Sequence, residues 1–158
     1  MTPFDKTDAR ILLVLANNPR ATGVEVASIL GLSRNTVQAR MNRWHNENAL
    51  APMDARVKPA ELGHPVLAFV TMRVDQHKLS FVTEELRKIV EVIEVFGLSG
   101  ESDLLVRIAA ADTDDLYRVA GLILDIPGVE RTNMGIAMKE LVPYRTTPLL
   151  EQIAGARP

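Results

Sequence analysis

Polar side chains that could meet a nucleic acid cluster between residues 33 and 46. This stretch holds three arginines and no acidic residue, and Val37, Met41 and Trp44 follow the spacing of a helix with one buried face. Ser33 suits the N-cap of that helix, whose free N–H groups favour a phosphate. Side chains near its start could donate to base edges, and later arginines could contact phosphates. The candidate DNA-binding residues are Ser33, Arg34, Asn35, Thr36, Gln38, Ala39, Arg40 and Arg43.

Two shorter helices must position this polar helix. Apolar spacing predicts a first helix over residues 6–17, and Thr22 with Glu25 forms the pattern of a capping box that starts a second. Gly31 ends the second helix and leaves a short turn before Ser33, which is the pattern of a helix-turn-helix. Residues 50–57 then predict a short wing hairpin.

The charge distribution favours separate roles for the two parts of the chain. Residues 1–60 carry eight Lys/Arg and five Asp/Glu, a net charge of +3, whereas residues 61–158 carry ten and fifteen, a net charge of −5. Chance clustering of charge is the alternative explanation, and a solvated face on an amphipathic helix is the alternative to a DNA-binding face.

The remaining two-thirds of the chain alternates strand and helix patterns. The predicted order is β-α-β-β-α-β, an α+β ferredoxin-like arrangement with both helices on one face of an antiparallel sheet. Its segments are strand 66–74, helix 78–89, strand 92–98, strand 104–110, helix 112–124 and strand 129–141. We therefore expect a winged helix-turn-helix domain over residues 1–60, a ferredoxin-like domain over 61–146 and a C-terminal tail over 147–158.

Two loops of the predicted sheet could face a cleft. Their backbone N–H groups and the Asp103 carboxylate would suit a zwitterion, although Gly and Asp in a hairpin are commonly just turn formers. The candidate ligand residues are Gly100, Glu101, Ser102 and Asp103 in the hairpin, and Thr132, Asn133 and Met134 in the last strand.

Several classes of protein are disfavoured by the sequence. The absence of cysteine excludes disulfides, thiol catalysis and cysteine-based zinc sites. The histidines are isolated and no nucleophile elbow, phosphate-binding loop or dinucleotide fingerprint is present, so we expect no catalytic residues, no metal and no cofactor. No apolar run approaches the roughly twenty residues of a membrane span, so we expect a cytoplasmic protein without membrane association.

Taken together, these segments resemble the Lrp/AsnC (feast/famine) family of transcription regulators from residue 4 to about residue 148. The opening helix, the Arg20-Ala21-Thr22 loop, the turn at Gly31, the hairpin with Gly100 and Asp103, and the turn at residues 126–132 follow that family's order and spacing. The resemblance implies a winged helix-turn-helix joined to a ferredoxin-like effector domain, the RAM domain. It also implies homodimers that pair across their sheets and often assemble further, typically into octamers.

An amino-acid effector between effector domains is a further implication of the resemblance. Gly100, Glu101, Ser102 and Asp103 then become ligand residues. The chain departs from the family pattern at Ser102 and Met134, where many members carry an aromatic residue and Thr, and at Asn48 and Pro52 near the wing. The changes at Ser102 and Met134 both lie at the expected ligand site.

The sequence as a whole predicts a DNA-binding regulator of amino-acid-related genes that binds double-stranded DNA as a homo-oligomer. Two alternatives remain open at this point. One is a metabolite-binding protein-interaction module without specific DNA binding, and the other is a small enzyme built on a ferredoxin-like sheet.

Overall fold

A computed structural model describes residues 3–155 of the chain. The chain divides into two compact units, one formed by residues 1–55 with 142–158 and the other by residues 56–141. Among the described residues, no helix is both long enough and apolar enough to cross a membrane.

The first unit is a cluster of helices around a small apolar core. Its helices are α1 (Lys6–Asn17), α2 (Gly23–Leu30), α3 (Arg34–Asn46) and α6 (Thr147–Ala154). Ile11, Val26, Val37 and Trp44 meet in the core of this unit. The three predicted helices of the helix-turn-helix are confirmed.

The turn between α2 and α3 follows from its residue types. The predicted capping box of α2 is present, because Thr22 and Glu25 bond reciprocally to each other's backbone N–H. Gly31 closes α2 with a φ of 65°, a left-handed conformation that favours glycine. Ser33 then caps α3 by accepting from the Thr36 backbone N–H at 3.0 Å.

The second unit is a four-stranded antiparallel sheet with two helices. Its elements are β1 (Val66–Val74), α4 (Leu79–Lys88), β2 (Val92–Gly97), β3 (Leu104–Ala110), α5 (Thr113–Leu124) and β4 (Val129–Ile136). The strand order is β2-β3-β1-β4, which confirms the ferredoxin-like prediction.

One face of this sheet carries the core and the other does not. Alternate residues of β1 from Ala68 to Val74 are buried against Val82 and Leu86 of α4 and Val119 and Ile123 of α5. Phe69, between them, stays 40% exposed. The opposite face of the sheet, called the open face below, therefore carries partly exposed apolar side chains.

Three segments differ from the sequence-based expectations. The predicted wing hairpin is wrong, since Met53–Arg56 forms a 3-10 helix in which the Ala55 N–H donates to the Pro52 carbonyl at 3.2 Å. Pro52 lacks the N–H that a strand needs. The last strand ends at Ile136 instead of residue 141, because β1, its pairing partner, begins at Val66.

The predicted C-terminal tail contains helix α6, which packs against α1 within the first unit. Pro148 lies in its first turn, where a proline is tolerated, and Gly155 ends it with a φ of 79°. The boundaries predicted after residues 60 and 146 thus differ from those of the compact units, which fall after residues 55 and 141.

Candidate functional site

Helix α3 presents an exposed polar surface near its N-terminus. Val37 and Trp44 are buried in the core, which fixes the rotation of the helix about its axis. The exposed residues are therefore Arg34, Asn35, Gln38 and Ala39. Thr36 is half-buried, and its hydroxyl shares a hydrogen bond with the Ser33 hydroxyl.

Two arginines of α3 bind a buried carboxylate on α1. Asp8 is fully buried and accepts from Arg43 Nη2 at 2.6 Å and Arg40 Nη1 at 3.1 Å. The same carboxylate accepts from the Trp44 indole Nε1 at 3.1 Å and from the Asp5 backbone N–H at 2.9 Å. Arg40 also pairs with the Asp5 carboxylate. The two arginines that the sequence predicts as phosphate contacts therefore tie α3 to α1.

The ion pair between Asp5 and Arg40 shifts the pKa of each group in the direction that favours its charged form. The Asp8 backbone N–H and the Arg40 guanidinium together lower the pKa of Asp5 from 3.8 to about 2. The hydrogen bond to Asp5 in turn raises the pKa of Arg40. Of the three arginines between residues 33 and 46, only Arg34 has no carboxylate partner within 4 Å in the described part of the chain. The unneutralised charge of α3 thus lies at its N-terminal end.

A polar pocket lies where the β2–β3 hairpin turn approaches β1 and β4. Gly100 in that turn has a φ of 126°, which L side chains rarely adopt. The pocket has a volume of about 410 Å³. It is lined by Thr71, Met72, Arg73, Gly100, Glu101, Ser102, Arg131, Thr132 and Asn133.

Five of the seven predicted ligand residues line this pocket, and two do not. Asp103 accepts from the Val74 backbone N–H at 2.9 Å and from Gln76 Nε2 at 2.7 Å, so its carboxylate secures the end of β1. Met134 is half-buried and packs against the core on the other side of β4. The five lining residues are Gly100, Glu101, Ser102, Thr132 and Asn133.

Sequence reasoning missed Arg73 and Arg131, which also line the pocket. They are directly opposed in the register of β1 and β4, and both are exposed. The strand alternation that placed Ala68, Val70 and Met72 inside also places Arg73 outside, so the pattern contained a signal for this position. Only the pairing of β1 with β4 shows that the two arginines are neighbours.

The described residues contain no group of three or more His, Cys, Asp or Glu side chains arranged to hold a metal ion. The acidic residues at the start of α5 instead serve the helix. Asp112 caps it by accepting from the Asp115 N–H at 2.8 Å. The Asp115 carboxylate accepts from the Ala111 backbone N–H and from Arg118, which lowers the pKa of Asp115.

Comparison with known proteins identifies the family to which the chain belongs and places the α3 surface and the polar pocket in its two domains. The AsnC-type helix-turn-helix domain matches residues 4–44, and the Lrp/AsnC ligand binding domain matches residues 67–147. The HTH-type transcriptional regulator FL11 of Pyrococcus horikoshii is 32% identical over 137 residues, which cover 87% of this chain and 91% of that protein. The chain belongs to the Lrp/AsnC family. It is a helix-turn-helix transcriptional regulator.

Solved Lrp/AsnC structures share the fold of this chain. The structure of AsnC from E. coli superimposes with a TM-score of 0.83 at 21% identity and covers 93% of this chain and 100% of that one. Transcriptional regulator NMB0573 of Neisseria meningitidis, solved as a complex with L-Met, gives a TM-score of 0.79 at 26% identity, over 92% and 96% of the two chains. The helix-turn-helix match contains the α2–α3 turn, and the ligand-domain match contains the polar pocket.

Proposed function

We propose that this Lrp/AsnC regulator recognises specific DNA sequences through the N-terminal end of α3, within a DNA-binding domain of residues 1–60. The observation that carries the proposal is the exposure of Arg34, Asn35 and Gln38 in the first turns of α3. Arg34 also has no carboxylate partner among the described residues. Arginine suits guanine edges in a major groove, and asparagine and glutamine suit adenine. Free N–H groups at the Ser33 end would take a phosphate.

Arg40 and Arg43 are proposed to contact phosphate while remaining bound to Asp8. A guanidinium has five N–H donors, so one side chain can bond a carboxylate and a phosphate together. Both side chains are partly exposed, at 27% each. Such contacts would set the position of α3 on the duplex without reading its sequence.

We test DNA recognition with Arg34→Ala and Gln38→Ala. Each change should weaken binding to the operator by about 1–3 kcal/mol if the side chain reads a base edge, while binding to shuffled DNA changes little. Fluorescence anisotropy on duplex DNA from upstream of the protein's own gene, against a shuffled duplex at matched salt, measures the difference. Arg20→Ala serves as the control, because Arg20 is an exposed arginine of the loop before α2.

Wild-type protein should bind its operator about a thousandfold or more tighter than the shuffled duplex. Equal binding to both duplexes, abolished by salt, would contradict specific recognition. If both variants fold and bind the operator with wild-type affinity, α3 is not the helix that recognises the base sequence.

A ferredoxin-like domain of residues 61–146, which contains the sheet of the second unit, is proposed to bind an amino acid and to form the dimer. The pocket at the hairpin supports the first role, because it gathers backbone and side-chain groups that suit a zwitterion. The open face of the sheet supports the second role. Phe69 and Phe96 on that face are 40% and 46% exposed, and aromatic side chains are enriched where protein surfaces pair.

A homodimer would present two recognition helices to DNA. Its operator would be a pseudo-palindrome with half-sites separated by a helical turn or a multiple of it. Assembly beyond the dimer, up to an octamer, would hold a longer DNA segment through several contacts at once. An amino acid would regulate such a protein only by binding one assembly more tightly than another. We assign the protein to the cytoplasm and its targets to amino-acid-related genes.

A further inference from the structure

The polar pocket of the second unit holds two arginines that form no ion pair within the described part of the chain. Arg73 and Arg131 line it from adjacent strands and are directly opposed in the register. Neither has an acidic group within 4 Å among residues 3–155, whereas Arg87, Arg107 and Arg118 of the same unit each contact a carboxylate. Like charges directly opposite on neighbouring strands destabilise a sheet, so an anion between them would relieve a cost that the free protein bears.

The same pocket also carries one negative charge. Glu101 lies in the hairpin turn beside Gly100 and Ser102 and lines the same pocket. The nearby Asp103 carboxylate is already occupied by the Val74 backbone N–H and the Gln76 amide. The pocket therefore offers two guanidinium groups, one free carboxylate and several neutral hydrogen-bonding groups.

From this charge pattern we infer that the effector is an amino acid with a second carboxylate, of the aspartate and glutamate class. This inference rests on the proposed amino-acid binding at this pocket. The two carboxylates pair with Arg73 and Arg131, since a guanidinium binds carboxylate bidentately, and the ammonium pairs with Glu101. The ligand's net charge of one negative unit then balances the pocket's net charge of one positive unit. A volume of about 410 Å³ accommodates a molecule of that size.

The test is isothermal titration calorimetry of the full-length protein with matched ligands. L-glutamate and L-aspartate are compared with L-glutamine and L-asparagine, which lack the second charge, and with glutarate and succinate, which lack the ammonium. We expect the acidic amino acids to bind about 10- to 100-fold more tightly than the amides, the range for losing a hydrogen bond to a charged group. Equal affinity for glutamate and glutamine would overturn the inference.

Three substitutions assign the contacts. Arg73→Gln and Arg131→Gln should each weaken L-glutamate binding about 10- to 100-fold and affect L-glutamine less. Glu101→Gln should remove the preference for L-glutamate over glutarate. Arg87→Gln is the matched control, because Arg87 is exposed on α4 and does not line this pocket. Wild-type glutamate affinity in both folded arginine variants would overturn the assignment.

The remaining outcomes separate this inference from the proposed function. If neutral amino acids bind and acidic ones do not, amino-acid binding stands and the acidic class is wrong. If no amino acid binds while operator DNA does, the ligand part of the proposed function fails with it. Inorganic phosphate competing as well as L-glutamate would show a general anion site, and dissociation of the oligomer in both arginine variants would show that these side chains serve assembly. Either result overturns the inference.

Discussion

Asp8 is the residue on which the orientation of α3 most depends. Its carboxylate is fully buried and is the shared acceptor for Arg40, Arg43 and the Trp44 indole. A buried carboxylate is costly unless its oxygens are paired and hydrogen-bonded, and here they are. Arg43 Nε is buried and has no hydrogen-bond partner among the described residues, so only the Nη2 end of this guanidinium is bound to the carboxylate.

Replacing Asp8 with Ala should lower the free energy of unfolding by about 3 kcal/mol, because it leaves the indole and the Arg43 guanidinium without their acceptor, while Arg40 keeps its pairing with Asp5. Denaturant unfolding of the purified protein measures the change. Asp54→Ala is the control, since Asp54 is an exposed acidic residue of a 3-10 helix in the same unit. A loss in Asp8→Ala no larger than in the control would show that the cluster contributes little.

The Asp8 cluster also changes how arginine variants are interpreted. Arg43→Ala removes a partner of a buried carboxylate as well as a proposed phosphate contact. Weaker DNA binding by that variant supports a phosphate role only when its stability is unchanged and its dependence on salt becomes flatter.

At the scale of elements, α6 belongs to the first unit although it lies at the other end of the chain. It follows the second unit in sequence but packs against α1 in the first. On α1, Ala9 is fully buried although it is absent from the main apolar cluster of this unit. Because α6 and α1 are in contact, α6 shields part of the α1 surface from water.

A chain that ends before Thr147 should have a less stable first unit. Exposing apolar surface of α1 should cost about 1–2 kcal/mol, and a domain of this size loses roughly 4–8 °C of melting temperature per kcal/mol. Thermal unfolding followed by circular dichroism and by Trp44 fluorescence measures the shift. The control ends at Gly155 and keeps the whole helix. Identical melting of the two truncated chains would contradict a stabilising role for α6.

At the scale of the whole molecule, the open face of the sheet exposes aromatic side chains to solvent. The sheet buries Ala68, Val70 and Met72 under its helices, yet Phe69 and Phe96 on the other side remain exposed to solvent in the single chain. A second copy that brings the same face would bury these rings in a two-fold symmetric interface.

Phe69→Asp should convert the dimer into a monomer, because it places a charge in the middle of an apolar interface. Light scattering after size exclusion should then report the mass of one 17.4-kDa chain. Operator binding should weaken in parallel, since two recognition helices no longer act together. Tyr117→Asp on α5 is the control, an aromatic residue that is 84% exposed. An unchanged mass for Phe69→Asp would place the dimer interface elsewhere.

Local patterns in the sequence were sufficient for most of the fold. Caps, helical spacing and strand alternation act over a few residues, so α1 to α5 and the first three strands were predicted close to their observed bounds, whereas β4 ends at Ile136 and not at residue 141. The capping boxes and the left-handed Gly31 are local features of the same kind. The wing hairpin was predicted wrongly, because Pro52 and its neighbours favour a 3-10 turn over an alternation that spans only a few residues.

Contacts between residues distant in sequence were decided only by the tertiary structure. Asp8 lies 32 residues from Arg40, and nothing in the spacing of either helix pairs them. The opposition of Arg73 and Arg131 follows from the register of β1 with β4, and the packing of α6 on α1 follows from the return of the chain. Apart from α6 and the segment after α3, the sequence alone therefore determined which elements form and which faces they bury. The mutual placement of these elements depends on packing between distant segments, which no short stretch of sequence contains. That placement pairs Arg40 and Arg43 with a carboxylate and brings Arg73 and Arg131 together at the pocket.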